Sequence, residues 1–115
     1  MKLPNRNRAI VPLSKVTGYL LSATHPQGRH KAAFFHSFGF VRDAPEALAS
    51  ALREHAAVHD VADVQDTLFG RRYIVDGNLR APDGRAPFVR SVWFMELGED
   101  VPRFVTAYPV ERKRP

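Results

Sequence analysis

Phe88-Val89-Arg90-Ser91-Val92-Trp93-Phe94-Met95-Glu96-Leu97 is a long alternating run of the kind that makes a strand. β-Branched and aromatic residues dominate it, and these suit a pleated, half-buried surface. A period of two puts Val89, Ser91, Trp93, Met95 and Leu97 on one face and Phe88, Arg90, Val92, Phe94 and Glu96 on the other. Gly98-Glu99-Asp100 then turns the chain into a second alternating run, 103–108, which Pro109 stops. Upstream, Ala81-Pro82-Asp83-Gly84 is a turn. Before it, runs 61–67 and 71–75 flank a short turn containing Gly70, the signal of a hairpin, and Asp76-Gly77-Asn78 ends the second of them. Strands joined by turns this short pair antiparallel with their neighbours, so the second half predicts a four-stranded antiparallel meander.

The first half reads as helices. Ser14 is placed to cap a short helix to about Leu21, weakened by Gly18. Ser22-Ala23-Thr24-His25-Pro26-Gln27-Gly28 is a turn cluster, and a helix is expected from Arg29 to Phe38, closing at Gly39. Asp43-Ala44-Pro45-Glu46 reads as a capping box that opens a helix to about Ala57, with Leu48 and Leu52 on its inner face. The expected class is therefore α+β, with N-terminal helices packed on one face of the sheet. Residues 1–115 are expected to form one domain, with a flexible polar arm over 1–8, a short extended piece at Ala9-Ile10-Val11 and a basic tail over 110–115.

Composition narrows the classes of function. The absence of cysteine excludes a disulfide framework, a zinc ribbon and a thiol nucleophile. No apolar run approaches the length of a membrane span, and the first residues lack the apolar core of a signal peptide, so a cytosolic protein is expected. The net charge is +5, and its distribution is uneven. Residues 1–42 carry seven cations and no carboxylate; residues 43–66 carry six carboxylates against Arg53 alone; cations dominate again afterwards. If the N-terminal part and the sheet share a face, that face attracts polyanions. Arginine supplies most of the cations, and its planar fork suits phosphate. The competing reading is an ordinary solvated surface.

The candidate chemistry lies in three places. His25 and His30 bracket a Pro-Gln-Gly turn, and histidine is the side chain best placed to move protons near neutral pH. Arg29, His30 and Lys31 open a helix, where backbone N–H groups favour an anion. His30 could equally cap or pack, and which of His25 and His30 matters more stays open; His36, among phenylalanines, reads as a partly buried structural residue. Arg90, Ser91, Trp93, Thr106 and Tyr108 put polar and aromatic groups in the middle of the last two strands, though strand propensity alone also accounts for a Thr or Tyr. Finally, His55 and His59, four apart with Asp63 nearby, have metal-ligand spacing, but two-histidine spacing arises easily by chance; no metal or other cofactor is expected.

Three segments carry a resemblance. Thr24-His25-Pro26-Gln27-Gly28-Arg29-His30-Lys31-Ala32, Val89-Arg90-Ser91-Val92-Trp93 and the run from Val101 to Pro109 resemble a family of small bacterial and phage domains with the patterns HPxGxHKA, VRTxW and PRLVTAYP. Ser91 stands where that pattern more often has Thr, which keeps the hydroxyl. The family has no assigned function, and its layout looks like the barnase–EndoU–colicin–RelE ribonuclease toxins. That likeness implies a metal-independent endoribonuclease of a toxin–antitoxin or polymorphic toxin system. It would act on tRNA, mRNA or rRNA, be held by a small antitoxin or immunity protein, and be a monomer or homodimer. On these residues it implies His30 as base or acid, and Lys31 and Arg90 stabilising charge on the phosphorane. Thr106 and Tyr108 would hydrogen-bond phosphate, with His25, Arg29, Arg72, Ser91 and Trp93 binding substrate and Trp93 stacking a base. Two rivals from other classes are a non-catalytic nucleic-acid or ribosome-binding module and a protein-interaction domain.

Overall fold

The computed structural model describes residues 1–111. Its second half is the expected meander. Strands β1 (Val61–Thr67), β2 (Gly70–Asn78), β3 (Phe88–Glu96) and β4 (Arg103–Pro109) lie in the order β1-β2-β3-β4, each antiparallel to the next. In the β2–β3 register Tyr73 faces Trp93, Val75 faces Ser91 and Gly77 faces Val89. The β3–β4 register slips by one residue, because Val92 pairs with Thr106 while Trp93 pairs with Phe104. Val105 is thus the extra residue of a bulge, which bends the edge strand and sharpens its twist.

Alternation is what separates the two faces. Tyr73, Val75, Val89, Trp93, Phe104 and Ala107 all enter the hydrophobic core. The other face carries Arg72, Ile74, Asp76, Phe88, Arg90, Val92 and Phe94, continued on β4 by Thr106 and Tyr108. Three α-helical segments accompany the sheet: α1 (Leu13–Lys15), α2 (Arg29–Ser37) and α3 (Pro45–Val58). Leu48, Ala49, Leu52, His55 and Ala56 make the buried stripe of α3. Each large apolar side chain so buried contributes roughly 1.5–3 kcal/mol.

Three local expectations are corrected. The N-cap of α3 is Ala44, and no side chain caps it, so Asp43 and Glu46 form no capping box; Pro45 in the first turn and the apolar stripe suffice to start the helix. Residues 1–8 are no loose arm, because Leu3 is fully buried in the core and Asn5 Nδ2 donates to Asp100 O at 2.7 Å. Ile10 bridges Arg103 in parallel, so the short extended piece runs along the outer edge of β4. Ser14 is not a cap either: Pro12 precedes α1, and α1 runs directly into a π-helical turn, Val16–Leu20, in which Leu21 N donates to Val16 O at 2.8 Å. In the expected basic tail, Val110 N still donates to Phe88 O, whereas Arg112, Lys113 and Arg114 lie outside the described residues.

α3 is locked to the sheet by a buried polar chain. Trp93 Nε1 donates to Ser91 Oγ at 2.8 Å, and Ser91 Oγ lies 2.9 Å from His55 Nδ1. His55 Nε2 sits 3.0 Å from both Gly77 O and Val89 O. Two carbonyl acceptors demand the proton on Nε2, so Nδ1 is the acceptor and Ser91 donates to it. His59 lies one turn on and bonds Asn78 O, with its ring against Gly77 so closely that a Cβ there would meet it at 2.3 Å. Both ring nitrogens of His55 are therefore taken by the protein itself.

Candidate functional site

The edge strand β4, α2 and the π turn meet in a polar cleft. Its floor is β4, where the bulge at Val105 sends Thr106 to the face away from the core. One wall is the π turn, which carries Tyr19. π turns are rare and recur at functional sites, since the extra residue widens the helix and re-aims a side chain. Gly28 lets the start of α2 come up against that turn: a Cβ on it would lie 2.2 Å from the Tyr19 carbonyl oxygen. Only a residue without a side chain fits there.

Within the cleft Lys31 Nζ donates a short hydrogen bond to the Tyr19 hydroxyl, and that hydroxyl lies 3.3 Å from Thr106 Oγ1. The same ammonium stands 4.8 Å from the Tyr19 ring centroid and 5.9 Å from that of Tyr108. Lys15 Nζ also lies 5.9 Å from the Tyr19 ring centroid. Burial raises the pKa of the Tyr19 phenol, but the hydrogen bonds from Lys31 and Thr106 and the charges of Lys31 and Lys15 outweigh it, so the net shift is downward from 10.0.

His25 lies edge-on to Tyr19, with ring centroids 5.0 Å apart. Its Nδ1 accepts from Gln27 N and Gly28 N, both at 3.0 Å. The neutral ring therefore carries its proton on Nε2 and offers a donor there. The His25 carbonyl also accepts from Arg29 N at 3.0 Å. The N–H groups of Gln27, Gly28 and Arg29 are thus engaged by His25.

Farther along the same sheet face, Arg90 pairs with Tyr108 in register and is held by Asp76 in a two-pronged ion pair, 2.8 Å and 3.0 Å. The bond to Asp76 raises the Arg90 pKa against the opposing effect of burial, and the Tyr108 hydroxyl adds to it. The Asp76 carboxylate opposes the positive charge of Arg90 in that pair.

Of the residues singled out in the sequence, Lys31, Thr106 and His25 come together, with Tyr108 and Arg90 beside them. His30 and Arg29 are exposed at the opening of α2, and among the described residues His30 shares none of the contacts that tie Lys31 to Tyr19. Arg72 lies two strands away, opposite Gln65 and Phe94, with its Nε buried and unpaired among the described residues. Two expectations are overturned. Trp93 and Ser91 are both fully buried on the core face, so Trp93 cannot stack a base and Ser91 cannot touch a substrate. His36 is exposed, though its Nδ1 lies 2.8 Å from Phe40 O. The sequence reading missed Tyr19 and Lys15. Neither spacing nor periodicity marks them, because a π turn leaves no regular pattern.

The fold has a solved counterpart. A chain of a contact-dependent growth inhibition toxin–immunity protein complex from Klebsiella pneumoniae 342 superposes with a TM-score of 0.72. The match covers 93% of this chain and 97% of that one at 16% sequence identity, a likeness of fold. No curated protein sequence is significantly similar to this chain. Among the described residues no helix is long and apolar enough to cross a membrane. The family model of a domain of unknown function, DUF6883, matches residues 2–111, and the chain belongs to that family.

Proposed function

We propose that this domain is a ribonuclease toxin of the barnase–EndoU–colicin–RelE type, cutting RNA without a metal through attack of a ribose 2′-hydroxyl on the adjacent phosphate. One observation carries the reading: the Lys31 ammonium on the Tyr19 hydroxyl, beside Thr106, in a cleft that Lys15, His25 and Gln27 also line. Lysines, not carboxylates, supply the charge beside Tyr19, which suits a developing phosphorane. A fold shared with a chain of a toxin–immunity complex supports the toxin role and a small immunity protein as partner.

In this reading Lys31 neutralises a non-bridging phosphate oxygen, with Arg90 contributing the part of its charge that Asp76 leaves. Thr106 and Tyr108 hydrogen-bond the phosphate, and the Nε2–H of His25 donates to it. Arg29 and His30 lie at the approach and steer the polyanion, while Arg72 meets the strand farther along the sheet. No cofactor takes part.

The test is incubation of the purified protein with total RNA and tRNA in EDTA, beside Lys31→Ala. Cleavage that leaves 2′,3′-cyclic phosphate ends and is lost in the variant supports the reading. Intact RNA with salt-sensitive binding would replace it with a binding module, and neither cleavage nor binding with a protein-interaction domain.

A further inference from the structure

We propose that Tyr19 and Lys31 form the proton-transfer dyad of this cleft, with the Tyr19 phenolate as general base and Lys31 as general acid. The inference rests on the RNA-cleavage reading above and names the groups that move its protons. Geometry carries it. The Tyr19 hydroxyl is bonded to both an ammonium and a hydroxyl, Lys31 Nζ and Thr106 Oγ1. Among the described residues the charged groups against Tyr19 favour its ionised form, Lys15 from α1 and Lys31 from α2, while His25 from the intervening turn meets its ring edge-on. β4 contributes Thr106, a neutral donor, and no carboxylate is among these contacts.

The other candidates fit the role less well. His25 already uses Nδ1 to accept two backbone N–H groups, so its neutral ring has no free lone pair for a ribose proton. His30 is exposed and outside the bonded cluster. The downward shift of the Tyr19 phenol has the same cause as the geometry: a cation placed on its oxygen stabilises the phenolate more than the phenol.

The step balances within the dyad. Tyr19 phenolate takes the proton of the ribose 2′-hydroxyl, so the O2′–H bond breaks and the phenol O–H bond forms. O2′ bonds to phosphorus, the bond from phosphorus to O5′ breaks, and Lys31 Nζ gives its proton to the departing O5′. The products are a 2′,3′-cyclic phosphate and a 5′-hydroxyl. The Tyr19 hydroxyl then returns its proton to the Lys31 amine along the hydrogen bond that joins them, restoring the starting pair. No electron or water is consumed.

The experiment compares wild type, Tyr19→Phe and Lys31→Met, with folding checked by the fluorescence of Trp93. Single-turnover cleavage of a short RNA in EDTA is measured across neutral and alkaline pH. Binding of the same RNA is measured in parallel. The expected result is a loss of about 10²-fold or more in rate for Tyr19→Phe with RNA affinity nearly unchanged. The wild-type rate should rise with pH and level off below the ordinary tyrosine range. A second readout needs no activity: ultraviolet absorbance of phenolate, titrated in wild type minus Tyr19→Phe. Tyr19 should ionise below the ordinary value of 10.0 and move upward in Lys31→Met. Cleavage undiminished in Tyr19→Phe, or a Tyr19 that ionises at or above the ordinary value, overturns the dyad. RNA left intact by wild type, with Tyr19 ionising early and Lys31-dependently, overturns the RNA reading while upholding the dyad itself.

Discussion

Replacing Ser91 by Ala removes one oxygen from the centre of the molecule and should cost far more than its size suggests. The Ser91 hydroxyl is fully buried, accepts from Trp93 Nε1 at 2.8 Å and donates to His55 Nδ1, 2.9 Å away. Alanine fits the same space, so no clash or large cavity contributes. What remains is a buried indole N–H without an acceptor and a buried imidazole nitrogen without a donor. Each orphan costs about 1–3 kcal/mol, giving roughly 2–6 kcal/mol for the pair. Against a total stability of about 5–15 kcal/mol this is a large fraction. Trp93 is the only tryptophan, so its fluorescence in a urea titration reports unfolding directly. The midpoint should fall with little change in slope, and Ser91→Thr, which keeps the hydroxyl, should lose less than half as much. A loss in Ser91→Ala below about 0.5 kcal/mol, the scale of an uninvolved surface position, would refute the reasoning.

Three further outcomes follow from the same structure. Leu3→Ala should destabilise by about 2–5 kcal/mol, because Leu3 is a fully buried core residue, and urea midpoints check it; a neutral result would restore the loose arm. Burial holds the His55 pKa below 6.5, opposed in part by its bond to Gly77 O. The unfolded chain then binds a proton that the folded chain refuses, so this contribution is complete above 6.5 and is lost as pH falls below it. Unfolding midpoints of wild type should therefore drop more steeply over that acid window than those of His55→Gln. Gly28→Ala puts a Cβ 2.2 Å from the Tyr19 carbonyl, so α2 and the π turn must part, at a cost of about 1–3 kcal/mol, and the early ionisation of Tyr19 should disappear; an unchanged phenol titration would contradict that.

The sheet was legible because period-two alternation and Gly-containing turns are local signals, and all four strands were visible in them. α3 was legible for the same kind of reason: its Leu48–Leu52 spacing and Pro45 suit a helix whatever caps it. The two faces of β3 were separated correctly, but not which of them is the core. Val89, Trp93 and Met95 on one side are hardly more apolar than Phe88, Val92 and Phe94 on the other. Only the docking of α3 decides, and it buries Ser91 and Trp93. The candidate site was half legible. Histidine and lysine beside a Pro-Gln-Gly turn drew attention to the corner where His25 and Thr106 line a cleft and Lys31 bonds Tyr19. Tyr19 was hidden, since its position depends on a π turn and on the close approach that Gly28 permits. Both are properties of packing, not of residue spacing.

In the proposed reaction a ribose hydroxyl attacks its neighbouring phosphate in the cleft beside Lys31. The most direct measurement locates the cut in a defined RNA and then repeats the reaction on the same strand with a single 2′-deoxyribose on the 5′ side of that bond. Cleavage of the all-ribose strand in EDTA, with a cyclic phosphate end, and none at the substituted position is the predicted result. Cutting that survives the missing hydroxyl, or that occurs only with added divalent metal, would contradict the account.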